Sequence, residues 1–260
     1  INGGPSVFMK IQAAVLHEPG ASFSIETIDL DPPRDGEVLV RVVAAGVCHS
    51  DWHLVTGATA HAMPVVAGHE GAGVVEAIGP GVERVSVGDH VALNWAPSCG
   101  NCFYCLHDRP SLCGTFVEPI WAGTMLDGTT RLSKDGAPVY HFSALACFAD
   151  YAVVPAAACV PLDKGVPLSV AALIGCAVTT GVGAVLNTAQ VKPGSSVAVY
   201  GAGGVGLSII MGAKLAGASR IIAVDTYEAK GAIAQSFGAT DFLMGGTDTV
   251  ASIRKMTEGR

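Results

Sequence analysis

The segment VAVYGAGGVGLSII sets Gly201, Gly203 and Gly206 as a GxGxxG turn between a β-branched strand and an apolar helix, and this restricts the fold more than any other feature of the chain. In such a unit the first glycine permits the tight turn, the second lets an anionic group approach the backbone, and the third lets helix pack on strand. Asp225 closes the next strand, RIIAVD, where a carboxylate can accept from ribose hydroxyls. A plain strand-to-helix turn explains the glycines alone but not the acid. The unit recurs as SVAVY with a helix over 204–215, RIIAVD with a helix over 228–237, and DFLM with a helix over 249–256. That is the texture of a parallel α/β sheet. Three strands make one mononucleotide half, and the chain stops after the third helix, where a fourth strand is expected. Residues 166–260 therefore read as the first half of a Rossmann domain, with an open third-strand edge that invites association.

Ahead of it, residues 9–165 read as short β-rich runs, such as EVLVRVVAAGVC at 37–48 and GAGVVEAIG at 71–79, broken by Gly, Pro and Asp turns. A barrel-like β domain is the expectation. With 260 residues, 50% of them hydrophobic and 14% charged, the chain has enough apolar material for two cores. The uncharged run at 165–187 has the length of a membrane span, but Gly175, Thr179, Thr180, Gly181 and Gly183 dilute it. INGGPSVF before Met9 is too short and lacks the basic residues of a secretory signal, so a cytoplasmic location is expected. A net charge of -7 disfavours nucleic acid and anionic membranes as partners.

Eight cysteines without an export signal point to metal ligands or buried thiols rather than disulfides. Cys99, Cys102, Cys105 and Cys113 lie in PSCGNCFYCLHDRPSLCG, a spacing at which four thiolates can surround one zinc ion, with Gly100, Pro110 and Gly114 supplying turns. Such a zinc has no open position and fixes a loop. Disulfides and an iron–sulfur cluster are the alternatives, although the proline that follows the last cysteine of the ferredoxin run is missing. A nucleic-acid-binding zinc ribbon would be rich in Lys and Arg, whereas residues 94–118 hold only Arg109 of that kind.

A catalytic zinc needs three ligands and an open position. GVCHSDWH offers Cys48 with Ser50, Asp51 and His53 nearby, GHEGAGVV offers His69 and Glu70, and GCAVTTG offers Cys176. Each alone has a bland explanation, since isolated cysteines are usually small buried apolar residues. Their combination with the four-cysteine lobe and the glycine turn is what points to a metal enzyme.

Taken together, GHEGAGVVEAIGPGVERVSVGDHV, PSCGNCFYC, GTMLDGTTRL, GCAVTTGVGAV and VAVYGAGGVG resemble the zinc-containing medium-chain alcohol dehydrogenases, over residues 12–260. The resemblance implies a GroES-like β-barrel-type catalytic domain over 9–165 followed by a partial Rossmann domain. It implies a catalytic zinc on Cys48, His69 and Cys176 and a structural zinc on Cys99, Cys102, Cys105 and Cys113. Ser50 and His53 match a proton relay, Asp51 and Glu70 match acids behind the zinc, and His49 matches a contact to cofactor phosphate. Gly201, Gly203, Gly204, Val205, Gly206, Asp225 and Lys230 match the cofactor-binding turn and its ribose side. Asp225, with no arginine after it in DTYEAK, favours NAD over NADP.

The implied reaction is hydride transfer between an alcohol carbon and NAD, with zinc acting as a Lewis acid. Trp95 and Phe142 match pocket walls suited to a bulky or aromatic alcohol. A thiol-dependent formaldehyde dehydrogenase of the same family, a metal-free reductase of the same fold and a non-catalytic zinc-binding fragment are the other readings. The reductase should lack the Cys48, His69 and Cys176 set. Family members continue well beyond this length, so little or no turnover is expected of the chain alone, and a homodimer or homotetramer is expected of the complete protein.

Overall fold

In the computed structural model the described residues are 8–259; the leading segment on which the reading about a secretory signal rests lies largely outside them. Two compact units divide between Cys176 and Ala177.

The first unit is built of two five-stranded sheets. Strands β1 (Met9–Leu16), β2 (Ser24–Leu30), β7 (Leu132–Lys134), β8 (Ala137–His141) and β4 (Val65–Val66) close into a barrel. Strands β10 (Cys159–Leu162), β6 (His90–Leu93), β5 (Glu70–Ile78), β3 (Glu37–Gly46) and β9 (Tyr151–Pro155) form the second sheet in that order. Period-2 patterning in MKIQAAVL turns Ile11, Ala13 and Val15 inward, where they meet Ile28, Leu30 and Leu132. The longer run of β3 is apolar on both faces at its start, and Val38 and Val40 bury against Val75, Val91 and Val154. A buried ion pair joins the two sheets: the Arg131 guanidinium donates to both carboxylate oxygens of Glu37, at 2.8 and 2.6 Å. The barrel expected from the sequence is present.

Between the strands lie the helices that carry chemistry. Helix α1 (His49–Thr56) leaves the end of β3. Helices α2 (Phe103–Leu106) and α3 (Gly114–Ala122) belong to the four-cysteine lobe and its exit, and α3 buries Phe116 and Ile120 in the barrel core.

The second unit holds a three-stranded parallel sheet ordered β11 (Ser196–Tyr200), β12 (Arg220–Asp225), β13 (Asp241–Met244), with helices Gly204–Leu215, Lys230–Phe237 and Thr249–Met256 following the strands in turn. The second of these begins at Lys230 rather than 228, because the backbone over 227–231 first makes a tight turn in which Lys230 N donates to Tyr227 O. The open third-strand edge expected from the sequence is present at β13. With β12 in the middle, β11 is an edge too, and its Tyr200 is 62% exposed.

The apolar run expected at 165–187 is a helix, Leu168–Thr188, long and apolar enough by length and composition to cross a membrane. Its residues have protein partners: Ala171 and Ala172 pack on Ala72 in the first unit, and Val185 packs with Val199 and Ile210 in the second. Around Cys176 the helix widens into a π-helical turn, Ile174–Val178, a local irregularity often found at functional sites.

Candidate functional site

Cys48 caps the N-terminus of α1, and the backbone N–H of Cys48 donates to Oδ2 of Asp51 at 3.0 Å. The other oxygen of Asp51 accepts from Gly68 N at 2.9 Å and lies 3.3 Å from His69 Nδ1. Asp51 is 2% exposed, so this carboxylate welds the start of α1 to the loop before β5. With Nδ1 turned to Asp51, the imidazole offers Nε2 on its other side. There the ligand atoms of Cys48, His69, Glu70 and Cys176 all lie within 4.8 Å of one another.

These groups conflict electrically when only protons are available. Hydrogen bonds from the Cys176 thiol and the His69 imidazole hold the Cys48 thiol down at about 3. The resulting thiolate, together with burial and the Glu70 charge, pushes the Cys176 thiol far up. Burial works against a charged His69, but the bonds to Asp51 and Cys48 outweigh it and raise the imidazole to about 9. A divalent cation resolves the conflict, because it lets both thiols ionise beside a neutral imidazole. Two thiolates, one imidazole and an acid fit zinc, and Glu70 stands inside the cluster rather than merely behind it.

Ser50 lies beside this cluster, its hydroxyl 3.8 Å from Cys48 Sγ. His53 is one helical turn further along α1, half-buried, with its ring edge-on to the exposed His49 at 4.8 Å. Phe142 is buried and meets the His69 ring edge-to-face at 5.3 Å. Its ring also meets His61, at 5.7 Å, a neighbour that ligand spacing could not reveal. Trp95 is half-buried against the valine cluster of the second sheet.

In the lobe, Cys102 Sγ lies 3.5 Å from Cys105 Sγ and 3.8 Å from Cys113 Sγ, and Cys99 Sγ lies 4.0 Å from Cys105 Sγ. Four sulfurs each 2.3 Å from a central zinc stand about 3.8 Å apart, the edge of a tetrahedron. The separations match that edge and are well beyond a disulfide bond; all eight cysteines are free. They are also too short to enclose a cluster of several irons. Gly100, at φ +77°, makes the turn inside the first CxxC step.

In the second unit Gly201 has φ +94°, and a Cβ on Gly206 would fall 1.8 Å from Gly201 O, so turn and helix meet backbone to backbone. Gly203 has open space before it, and with Gly204 and Val205 it begins the helix Gly204–Leu215. Asp225 accepts from Ala202 N at 2.8 Å, from Tyr227 N at 3.1 Å and from Lys230 Nζ at 3.1 Å. Those bonds hold its carboxyl down at about 2, so it is ionised at neutral pH. It lines a depression of about 190 Å³ with Tyr200, Gly201, Val224, Thr226 and Gly245.

The family described as alcohol dehydrogenase GroES-like domain matches residues 34–164, and that described as zinc-binding dehydrogenase matches residues 204–260. An S-(hydroxymethyl)glutathione dehydrogenase from Escherichia coli O1:K1 is 45% identical over 236 residues, 90% of this chain and 64% of that protein. The chain thus spans less than two thirds of the length of the curated relatives it matches. A zinc-binding-domain alcohol dehydrogenase from Burkholderia ambifaria superposes with a TM-score of 0.92 at 41% identity, over 97% of this chain and 69% of that one. The benzyl alcohol dehydrogenase of Acinetobacter calcoaceticus superposes with a TM-score of 0.89 at 38% identity, over 96% of this chain and 68% of that one.

Proposed function

Because this chain belongs to the zinc-containing medium-chain alcohol dehydrogenase family, we propose that it carries the metal centres and the adenosine-binding half of an NAD-dependent alcohol dehydrogenase. The observation that carries the reading is the convergence of Cys48, His69 and Cys176, with Glu70, within 4.8 Å, backed by the buried Asp51. When bound, zinc supplies Lewis acidity toward the alcohol oxygen and NAD supplies the hydride acceptor.

The chain's own residues do the rest. Cys48, His69 and Cys176 hold the zinc, and Asp51 fixes the His69 ring so that Nε2 serves as ligand. Ser50 relays the proton of the substrate hydroxyl, accepting it as it gives up its own. His53, three residues on along α1 and so on the same face, hands it to solvent. The lobe cysteines hold the second, structural zinc. Gly201, Gly203 and Gly206, with the N–H groups that open the helix at Gly204 and Val205, cradle the pyrophosphate; Asp225 accepts from the adenosine ribose and repels a 2′-phosphate, which favours NAD. Lys230 flanks the ribose.

Phe142 gives the pocket an apolar aromatic wall beside the zinc ligands, to which Trp95 contributes at longer range, and this suits a bulky or aromatic alcohol. The free cysteines fit a cytoplasmic location, and the net charge of -7 fits a small-molecule partner rather than nucleic acid or membrane. The complete protein is proposed to be a homodimer or homotetramer. Alcohol-dependent NAD reduction by the protein at the length of its relatives tests the reading. Benzyl-type alcohols turned over faster than small primary alcohols are expected, and activity that survives Cys48→Ser overturns it. Oxidation only of formaldehyde thiol adducts would replace the alcohol by that substrate.

A further inference from the structure

The segment 142–148 passes from β8 toward β9 in a backbone shape that its residue types do not favour. Ser143, Ala144 and Ala146 have φ of 56°, 56° and 57°, the left-handed region that non-glycine side chains seldom adopt. All three are buried. Such conformations persist only where the surroundings over-determine them, and they cluster at functional sites.

Here the surroundings do so in two ways. Side chains alternate between separate cores: Ala144 and Ala146 pack into the barrel cluster, while Leu145 and Cys147 pack into the cluster of the second sheet. Backbone bonds then close the turn and pin its far end. Leu145 N donates to Phe142 O at 3.0 Å, Cys147 N to Gly68 O at 2.9 Å, Phe148 N to Ala67 O at 3.0 Å, and Ala14 N to Phe148 O at 2.8 Å.

Two of those bonds end on the residues just before His69. A Cβ on Gly68 would fall 2.5 Å from Phe148 Cδ1 and 2.7 Å from Phe148 N, so the two backbones touch with no room for a side chain. The other end of the segment delivers Phe142, whose ring stands edge-to-face against the His69 imidazole at 89°. The segment thus grips His69 from its backbone and from its ring face, while Asp51 holds Nδ1.

We infer that the left-handed run at Ser143, Ala144 and Ala146 is a positioning strap that aims His69 at the metal and sets the affinity of that site, beyond any part Phe142 plays as a substrate wall. The inference rests on the zinc reading above. Ser143, Ala144 and Ala146 act by positioning, through the backbone before His69 and the ring of Phe142.

Cobalt(II) titration of the 260-residue chain tests it, read by the visible ligand-field spectrum. In the wild-type chain, a second ion that disappears in Cys48→Ser supports the zinc reading on its own. The double variant Ala144→Gly, Ala146→Gly relieves the left-handed strain but withdraws the two methyl groups that anchor the strap in the barrel core, so the segment is no longer held in one shape. We expect it to remain folded and to keep the lobe ion, with the second ion bound at least about tenfold more weakly. Phe142→Leu keeps an apolar side chain but removes the ring edge, and a shifted second-site spectrum is expected; this variant carries the test if the double variant fails to fold. Affinity and spectrum equal to wild type in these variants overturn the strap while leaving the zinc reading standing. A wild-type chain that binds no second ion overturns both.

Discussion

Oδ1 of Asp51 lies 3.3 Å from Nδ1 of His69, with both side chains buried, so a carboxylate in the first turn of α1 dictates which imidazole nitrogen faces the cysteines. Asp51→Ala should therefore lower zinc affinity at the Cys48 site by about 10- to 100-fold, the usual cost of losing a partner that orients a ligand. Competition with a chromophoric chelator measures it. Affinity unchanged from wild type would mean that His69 is held without Asp51.

In the lobe the expected effect is separate. Cys105→Ser should remove one zinc and lower the thermal unfolding midpoint, because metal binding at a closed site contributes to folding, while the zinc at Cys48 stays. Calorimetry with metal analysis on the same sample checks both. Loss of both ions together would show that the sites are not independent.

Asp225→Ser should weaken binding of ADP-ribose by about tenfold and reduce the preference over its 2′-phosphorylated form, since the ribose acceptor and the repelling charge are lost together. Isothermal titration calorimetry on the chain reads both. The Ala202 N–H bond to Asp225 also goes, so Asp225→Asn, which keeps an acceptor without the charge, separates turn stability from charge. It should bind the 2′-phosphorylated ligand better than wild type does.

His141 gives a pH dependence. Its Nε2 accepts from Arg131 N at 3.0 Å, and burial, helped by the Arg131 charge, pushes the ring down to about 3. In the unfolded chain a histidine titrates near 6.5. The folded state thus binds fewer protons between those values. Its stability is fully present above about pH 6.5 and falls with pH toward 3, by up to about 1.4 kcal/mol per pH unit from this group. His141→Gln, which keeps an acceptor for Arg131 N, should flatten the slope in denaturant unfolding measured between pH 6.5 and 4. An unaltered slope would assign the acid sensitivity to other groups.

How much of this was legible depended on whether the cause is local in sequence. The lobe was, because four cysteines within fifteen residues already have the spacing of one tetrahedral ion. The glycine turn was too, because Gly201, Gly206 and Asp225 each answer a backbone or charge requirement that sequence displays. Cys48, His69 and Cys176 are far apart, and no periodicity joins them; only the family resemblance pointed to one site. The grip of Asp51 on Gly68 N, the contact of His61 with Phe142 and the left-handed run at 143–146 were not legible at all. Serine and alanine carry no mark of positive φ, and these features arise from packing between two sheets. The second open edge, at β11, also required the strand order.

The most direct test of the central claim is the zinc content of the purified chain by elemental analysis, for wild type and Cys48→Ser side by side. Two zinc ions per chain falling to one in the variant is the predicted result. One zinc ion in both proteins would contradict it, leaving the Cys99 lobe as the sole metal site of the chain.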